Sequence, residues 1–416
     1  MTEVLKPSDS SQLEDMVKWA IADDIPLEIV GLATKRGLGR PIIGKQGNIG
    51  NLVIGHTIDL SSLSGVSLYE PDELVLTAGA GTRVSDIEDL LESEGQQLAF
   101  EPLHMAKLYG NEGGSLGGLI ACNLTGPRRI KAGAARDHVL GIKGVSGRGE
   151  YIKSGGRVVK NVTGYDLSKL MTGSYGTLAA LTEITLKVLP APENTSTLVI
   201  FGLDEKTAQR ALSTAINSSH EVSGAAHLPA RSSSELSLGD IRNENSSVTA
   251  LRVEGFRPSV VARCESLIKL LKNFGAVEKI NKENSIVFWK DVCDVGPYKE
   301  RKDPLWRMSI TPTMAPTIVE KINSLIAGCA FYDWGGGLVW YKLDEYMSDS
   351  GATIIRDVIN ANGGGHATLV RAEDSIRSQT DVFHPQTLAL AKLTARIKNS
   401  FDPQRILNPG RMYLEV

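Results

Sequence analysis

Residues 111 to 129 read NEGGSLGGLIACNLTGPRR, and five of the six positions from 113 to 118 are glycine or serine. A plain turn uses one or two glycines. So dense a run means that backbone lies close against something, and two kinds of neighbour fit. One is another stretch of backbone, in a packed crossing of loops. The other is an anionic ligand, held by N–H groups that no side chain shields. Arg128 and Arg129 close the stretch, and Lys131, Gly133, Arg136 and Asp137 follow it. Residue types alone leave both readings open.

Two other glycine patterns are weaker. TAGAGTRV places Gly79-x-Gly81 between a strand and a helix, where a dinucleotide fingerprint belongs, but the third position is Val84. The third glycine lets helix and strand pack closely, so a tight strand–helix turn is the better reading. GRPIIGKQ (39–46) comes near a phosphate loop. Gln46 replaces the hydroxyl residue that holds magnesium, and Pro41 removes a backbone donor. Nucleoside triphosphate hydrolysis is therefore excluded.

The remaining pattern is that of an α+β chain. Ser11 and Glu14 stand at capping-box spacing before Leu13, Met16, Val17, Ala20 and Ile21, which predicts an amphipathic helix. Strands are expected at 26–31, 73–81, 138–145 and 150–153, with a helix near 84–94 stopped by Gly95. Thr182, Ile184, Leu186 and Val188 alternate with charged and polar residues, the mark of a strand. Pro190 and Pro192 end this region. Beyond them two β-α-β-like units, 195–228 and 248–280, suggest a ferredoxin-like split. The Trp- and Gly-rich segment 331–341 extends that sheet. Helices near 350–361 and 386–400 flank a strand, GHATLVR.

At 416 residues the chain exceeds one ordinary core. A net charge of −3 gives no bulk attraction to nucleic acid or anionic membranes. The N-terminus shows no apolar signal core, and no apolar run is long enough to span a bilayer. Cys122, Cys264, Cys293 and Cys329 have neither disulfide-scaffold nor cluster-binding spacing. A reducing cytoplasm is the expected location.

Long motifs then occur in order: PLEIVGLATK, EPLHMAKLYGNEGGSLGGLIACNLTGPRRIKAGAARDHVLGI and GGRVVKNVTGYDLSKLMTGSYGTLAALTEITLKVLP. Together they resemble the FAD-binding domain of the vanillyl-alcohol oxidase/PCMH flavoprotein superfamily. EPLH, ACNLTGPRR, GGHATLVR and FDPQRILNPGRM are similar to the E-subunit family of bacterial glycolate oxidases. The resemblance is strong over 95–190 and weak over 195–345. It implies a PCMH-type FAD-binding domain of two subdomains over 1–191 and a ferredoxin-like α+β cap domain over 195–345. A C-terminal helical segment, 346–416, would return to the FAD domain.

The same resemblance implies the cofactor contacts. Gly31, Leu32, Ala33, Thr34 and Lys35 would form one wall of the diphosphate cradle, and Gly113, Gly114, Ser115, Gly117 and Gly118 the other. Asn123, Thr125 and Gly126 would run beside the flavin ring, with Gly133, Arg136 and Asp137 in a second loop. Gly173, Gly176, Thr177 and Leu181 would face the ribose and adenine. FAD is expected to be noncovalent, with His104 of EPLH as a polar lining residue.

Oxidation of a 2-hydroxy acid needs a carboxylate anchor, a base and a hydride acceptor. Arg307, Arg371 and Arg411 are candidate anchors, and each also reads as an ordinary structural arginine. His366 is the candidate base, and strand parity would set it on the face opposite Arg371. One imidazole makes a poor divalent site, so no metal is expected. The resemblance implies glycolate or a related 2-hydroxy acid as substrate. It also implies partners: a larger flavoprotein subunit and an iron–sulfur subunit, through which the chain would meet the inner face of the cell membrane. Segments 331–341 and 231–247 are the expected docking surfaces. Two alternatives stand beside this reading. One is a free-standing FAD-dependent oxidase or dehydrogenase; the other is a non-catalytic assembly subunit with a vestigial FAD site.

Overall fold

Three sheets of three or more strands carry the chain in the computed structural model, which describes residues 3–42, 45–46, 52–53, 55–111, 113–157, 164–299 and 302–416. Ile43 and Gly44 of GRPIIGKQ and residues 160–163 of the KNVTG motif lie outside the described residues.

The first sheet is parallel, with β3 (His56–Asp59) between β1 (Val4–Leu5) and β2 (Leu27–Val30). Helix α1 (Ser10–Ala22) covers it and buries Leu13, Val17 and Ala20 against Leu27 and Ile58. The helix cap differs from the Ser11–Glu14 expectation. Asp9 accepts from the Gln12 backbone N–H at 2.9 Å, and the Gln12 side chain accepts from Ser8 N at 3.0 Å. Asp9-x-x-Gln12 offers the same chemistry two residues earlier, and the carboxylate takes the position.

The second sheet is antiparallel. Its order is β7 (Tyr151–Gly155), β6 (Val139–Ser146), β8 (Ala179–Lys187), β5 (Val75–Gly79), β4 (Val66–Glu70). Helix α2 (Val84–Ser93) leaves this sheet directly after β5. Cβ atoms at Gly79 and Gly81 would lie 2.2 and 2.4 Å from the carbonyl oxygens of Leu63 and Leu60. Those glycines admit a neighbouring loop, as a tight turn requires.

The third sheet has eight antiparallel strands and defines the cap domain. Its first half comprises β9 (Asn194–Phe201), β10 (Gly224–Leu228), β11 (Val248–Gly255) and β12 (Glu278–Ile280), in the spatial order β12-β9-β11-β10. That is the ferredoxin-like order anticipated from the two β-α-β-like units. The second half repeats it. Strands β13 (Leu305–Ile310), β14 (Gly328–Asp333), β15 (Leu338–Leu343) and β16 (Gly365–Arg371) lie in the order β14-β15-β13-β16. The halves join where His227 of β10 pairs with Tyr332 of β14. The boundary expected between 345 and 346 therefore falls inside this sheet, which runs on to Arg371.

Alternation along the strands gives the sheet two apolar faces. Trp306, Met308, Tyr332, Val339 and Leu369 pack under helices Ala315–Asn323 and Ala352–Ala361. Leu305, Phe331, Leu338 and Trp340 face the other way and share one core with Leu76, Phe100 and Ile120 of the first region. Segment 331–341 is thus mostly buried in β14 and β15, which removes it as a docking surface. Segment 231–247 also turns inward, burying Leu236, Leu238 and Ile241.

The C-terminal tail returns to the first region. Leu407 bridges to Leu27, and the Asn408 side chain accepts from Ile29 N at 2.8 Å while donating to Tyr175 O at 2.7 Å. Fully buried Lys398 donates to Asp402, Thr177 O and Leu407 O, all within 2.9 Å. No helix among the described residues is long and apolar enough to cross a membrane.

Candidate functional site

The loop after β2 and the glycine-rich loop meet face to face. A Cβ at Gly31 would fall 2.1 Å from the Ser115 hydroxyl oxygen, so only glycine lets the two loops close. Ser115 caps the short helix Leu116–Ala121 by accepting from Gly118 N. On its other side the glycine-rich loop lies along the β5–α2 turn. Gly117 N donates to Ala80 O at 2.7 Å, Leu116 N to Thr82 O at 2.9 Å and Val84 N to Gly114 O at 2.9 Å. The packed-crossing reading of the glycines therefore applies in part. Gly31 and Gly117 permit backbone crossings, while Gly114 and Gly118 leave open the space beside Lys35.

The result is an open cleft, with about 740 Å³ of space between its walls when the solvent at its mouth is counted. Of the residues the resemblance assigns to the cofactor, Gly31, Leu32, Ala33, Thr34, Lys35, Ser115, Gly117, Gly118, Gly176 and Leu181 line it. Lys35 carries the charge. A Cβ built at Gly114 would sit 2.6 Å from its ammonium, and one at Gly118 3.7 Å. Among the described residues no carboxylate pairs with that ammonium, and burial lowers its pKa below the usual lysine range. An unpaired cation facing bare backbone is the arrangement an extended diphosphate requires.

Gly113 has the left-handed φ of +69°, whereas Gly114 does not. Asn123 accepts from Arg136 N at 3.1 Å, Thr125 from Ala135 N at 2.9 Å and Asp137 from Ala134 N at 2.9 Å. These residues, with Gly133, brace a loop behind the cleft and do not line it. Gly173 and Thr177 sit likewise outside the lining, next to Asn123 and the Lys398 ammonium respectively. Gly126 accepts at its carbonyl from the Trp334 indole at 3.0 Å, linking this loop to the cap domain.

Sequence reasoning missed Ile29, Leu60, Ala80, Cys122, Tyr175 and Asn408 in the lining. Ile29, Cys122, Tyr175 and Asn408 stand within the motifs that carry the resemblance and Ala80 within TAGAGTRV, whereas Leu60 carried no signal. Burial pushes the Cys122 thiol up to about 11, which disfavours the nucleophilic thiolate.

The candidate catalytic residues divide. Arg411 lines the cleft but donates to Arg40 O and Lys35 O. Arg371 donates to Asp303 O and Tyr298 O at 2.9 and 2.8 Å. A bulge between Leu305 and Trp306 pairs Arg371 with Leu305, on the strand face shared by Arg307. The extra residue shifts the alternation, so the expectation of opposite faces for Arg371 and His366 does not hold. His366 pairs with Ser309, two positions beyond Arg307, and is exposed with its ring edge-on to His384 at 5.5 Å. Arg307 has no hydrogen-bond partner among the described residues and lies against Trp334. His104 does not line the cleft. Its ring pairs with Glu88 at 3.1 Å, and although burial opposes the charged form, Glu88 holds its pKa above the usual value.

Fold and cleft together define a flavoprotein with a PCMH-type FAD-binding fold. Residues 2–155 match the FAD binding domain family. Solved p-cresol methylhydroxylase superposes with a TM-score of 0.72 at 13% identity, covering 99% of this chain and 89% of that one. Glycolate oxidase subunit GlcE of Escherichia coli (strain K12) is 36% identical over 415 residues, 99% of this chain and 100% of that protein. The chain belongs to the family of this glycolate oxidase subunit. D-lactate dehydrogenase of Anaerostipes hadrus is 30% identical over 47% of this chain, which spans 38% of that enzyme.

Proposed function

We propose that this chain is the FAD-binding subunit of a glycolate oxidase complex. The complex oxidises glycolate or a related 2-hydroxy acid to the 2-oxo acid and passes electrons to an iron–sulfur partner. The observation that carries the reading is the unpaired Lys35 ammonium in a glycine-walled cleft, in a chain related over its full length to a glycolate oxidase subunit.

Gly31 to Lys35 and Gly113 to Gly118 hold the diphosphate of FAD, Lys35 by charge and the glycines by close approach of backbone. Gly176 and Leu181 face the nucleoside end, and Asn123, Thr125 and Gly126 support the ring end from behind. Bound FAD supplies the hydride acceptor. Arg307 is preferred to Arg371 as carboxylate anchor, because backbone carbonyls already hold Nε and Nη1 of Arg371, leaving only its Nη2 without a partner. His366, on the sheet face of Arg307, receives the hydroxyl proton at a ring nitrogen.

The test is purification of the full chain with measurement of its flavin-to-protein ratio. Glycolate-dependent dye reduction is then assayed alone and with the two partner subunits. A colourless chain that does not take up added FAD overturns the reading.

A further inference from the structure

Arg128 and Arg129 are neighbours with opposite circumstances. Arg128 is consumed by carboxylates: it donates to Glu254 at 2.8 and 3.0 Å and lies 3.7 Å from Glu101. Arg129 has no carboxylate within ion-pair reach among the described residues. Its guanidinium carbon stands 4.4 Å from the centroid of the Trp334 ring. Arg307, reaching in from β13, stands 5.1 Å from the same centroid and is likewise unpaired. Two like charges are gathered at one indole, although they repel one another.

Trp334 is built to stay there. Its indole N–H is held by Gly126 O at 3.0 Å and its backbone N–H by the Asp333 carboxyl at 2.7 Å. Its φ of +52° is left-handed, a conformation a bulky residue adopts only under constraint. Burial pushes the Asp333 carboxyl up to about 8, which weakens it as a counter-charge to the arginines near neutral pH. Burial and the Arg129 charge both act to lower the pKa of Arg307, whereas Tyr175, a residue of the cleft wall, and Asp333 favour its charged form. The charged pair thus stands at the Trp334–Gly126 contact between the cap domain and the glycine-rich loop.

We propose that Arg129 and Arg307, spaced by Trp334, form a two-armed site for the carboxylate of a small 2-hydroxy or 2-oxo acid, with Arg129 as the specificity-determining arm supplied by the FAD domain. This rests on the FAD-dependent reading above and names the residues that select its substrate. A guanidinium fork matches a carboxylate in two parallel hydrogen bonds, and a bound carboxylate relieves the repulsion between the arms. The site also explains why one arginine of the Arg128–Arg129 pair is left unpaired.

The probe is oxalate, titrated calorimetrically into the FAD-loaded full chain, with flavin content read on each sample. Oxalate binds the wild type, and R129M and R307M each weaken it by roughly tenfold or more, the loss expected for one charge-assisted contact. R129K restores only part, because an ammonium has no fork. R396M, on an exposed helix, binds as the wild type does. Arg129 is exposed, so R129M tests the idea without threatening the core. Wild-type oxalate affinity in both methionine variants overturns the site, as does absence of oxalate binding to the wild type. Sulfate bound as tightly as oxalate overturns the assignment to a carboxylate. A colourless chain that still binds oxalate through Arg129 and Arg307 counts against the FAD reading and leaves the clamp standing.

Discussion

Arg252 donates through Nη1 to one carboxylate oxygen of Glu101 at 2.7 Å and through Nη2 to the other at 2.9 Å. This pair joins EPLH of the FAD-binding region to β11 of the cap domain. Arg252 stacks on Trp289 at 4.7 Å, and Arg128 and Glu254 complete a buried group of four charges. Glu101 holds a left-handed φ of +57°, which aims its carboxylate at the cap domain. Removing one member leaves buried charge unpaired, at a cost of about 3–5 kcal/mol. Arg252→Met is therefore expected to lower the urea midpoint strongly. A midpoint within experimental error of wild type would show that the pair does not hold the domains together.

The same group predicts acid sensitivity. Burial alone would raise both carboxyls, but Arg252 and Arg128 hold Glu101 below its usual range and bring Glu254 down to about 2. Folded pKa values below unfolded ones mean stability that is complete above the unfolded value and lost as pH falls toward the folded value. For Glu254 that window runs from 4.5 down to about 2. Glu254→Gln should flatten the acid limb of melting temperature against pH and lower stability at neutral pH. Parallel acid limbs for variant and wild type would contradict the assignment.

Lys35→Met removes the cation of the cleft. Loss of a charge-assisted hydrogen bond to phosphate, about 1.5–3 kcal/mol, weakens FAD retention by roughly 10- to 100-fold. Burial lowers the Lys35 pKa in the free chain, and a bound diphosphate raises it again. FAD affinity should therefore fall as pH rises through the free-chain value, and this dependence should vanish in Lys35→Met. Equal flavin affinity in the two proteins, measured by equilibrium dialysis, would remove Lys35 from the cradle.

Gly114→Val tests the opposite wall. Its φ is not left-handed, so backbone strain is not the obstacle. The obstacle is space: a Cβ there meets the Lys35 ammonium at 2.6 Å and the Thr34 hydroxyl oxygen at 3.5 Å. The flexible lysine swings away, so the chain stays soluble while the cation leaves its post. Purified Gly114→Val should be folded by circular dichroism and largely free of flavin; a full flavin complement would mean that the loop is only packing.

FAD should be released completely by acid precipitation. Covalent attachment needs a nucleophile beside the ring, and His104 is turned toward Glu88, outside the cleft lining. Yellow colour remaining in the pellet would contradict noncovalent binding.

The first loop and the glycine run were legible because close backbone approach leaves a local mark, the absence of side chains. The buried tie of Lys398 to Asp402 and Leu407 left no such mark, since its partners acquire meaning only when the tail docks under Leu27. The second ferredoxin-like half escaped notice for a related reason. Its strand order depends on pairing β13 with both β15 and β16, a nonlocal choice that alternation cannot reveal. In the sequence Trp334 falls in a segment that reads as an extension of the cap sheet and a docking surface. Its position between Arg129 and Arg307 joins residues widely separated along the chain. Parity failed at Arg371 because one bulge residue reverses the side-chain count.

The last prediction concerns where electrons go after the flavin is reduced. A relay beyond the flavin needs a second redox centre or a contact with the acceptor. The thiols of this chain occupy separate surroundings. Cys122 faces the cleft, Cys293 lies under Gly126, Cys329 touches Ser232, and Cys264 belongs to the core beneath β9 and β11. Cluster binding needs thiolates converging on one point, which these positions do not offer. Docking on a membrane would need an apolar span or a basic amphipathic surface, and no described helix is long and apolar enough to be such a span. Under the proposed function, the flavoprotein and iron–sulfur subunits take up the electrons from the flavin. The isolated chain is expected to show little or no glycolate:acceptor activity while holding FAD. Co-expression with both subunits should restore turnover, and omission of the iron–sulfur subunit should abolish delivery to quinone. Dye-linked turnover by the chain alone at the rate of the assembled complex would sink the idea and make this a free-standing dehydrogenase.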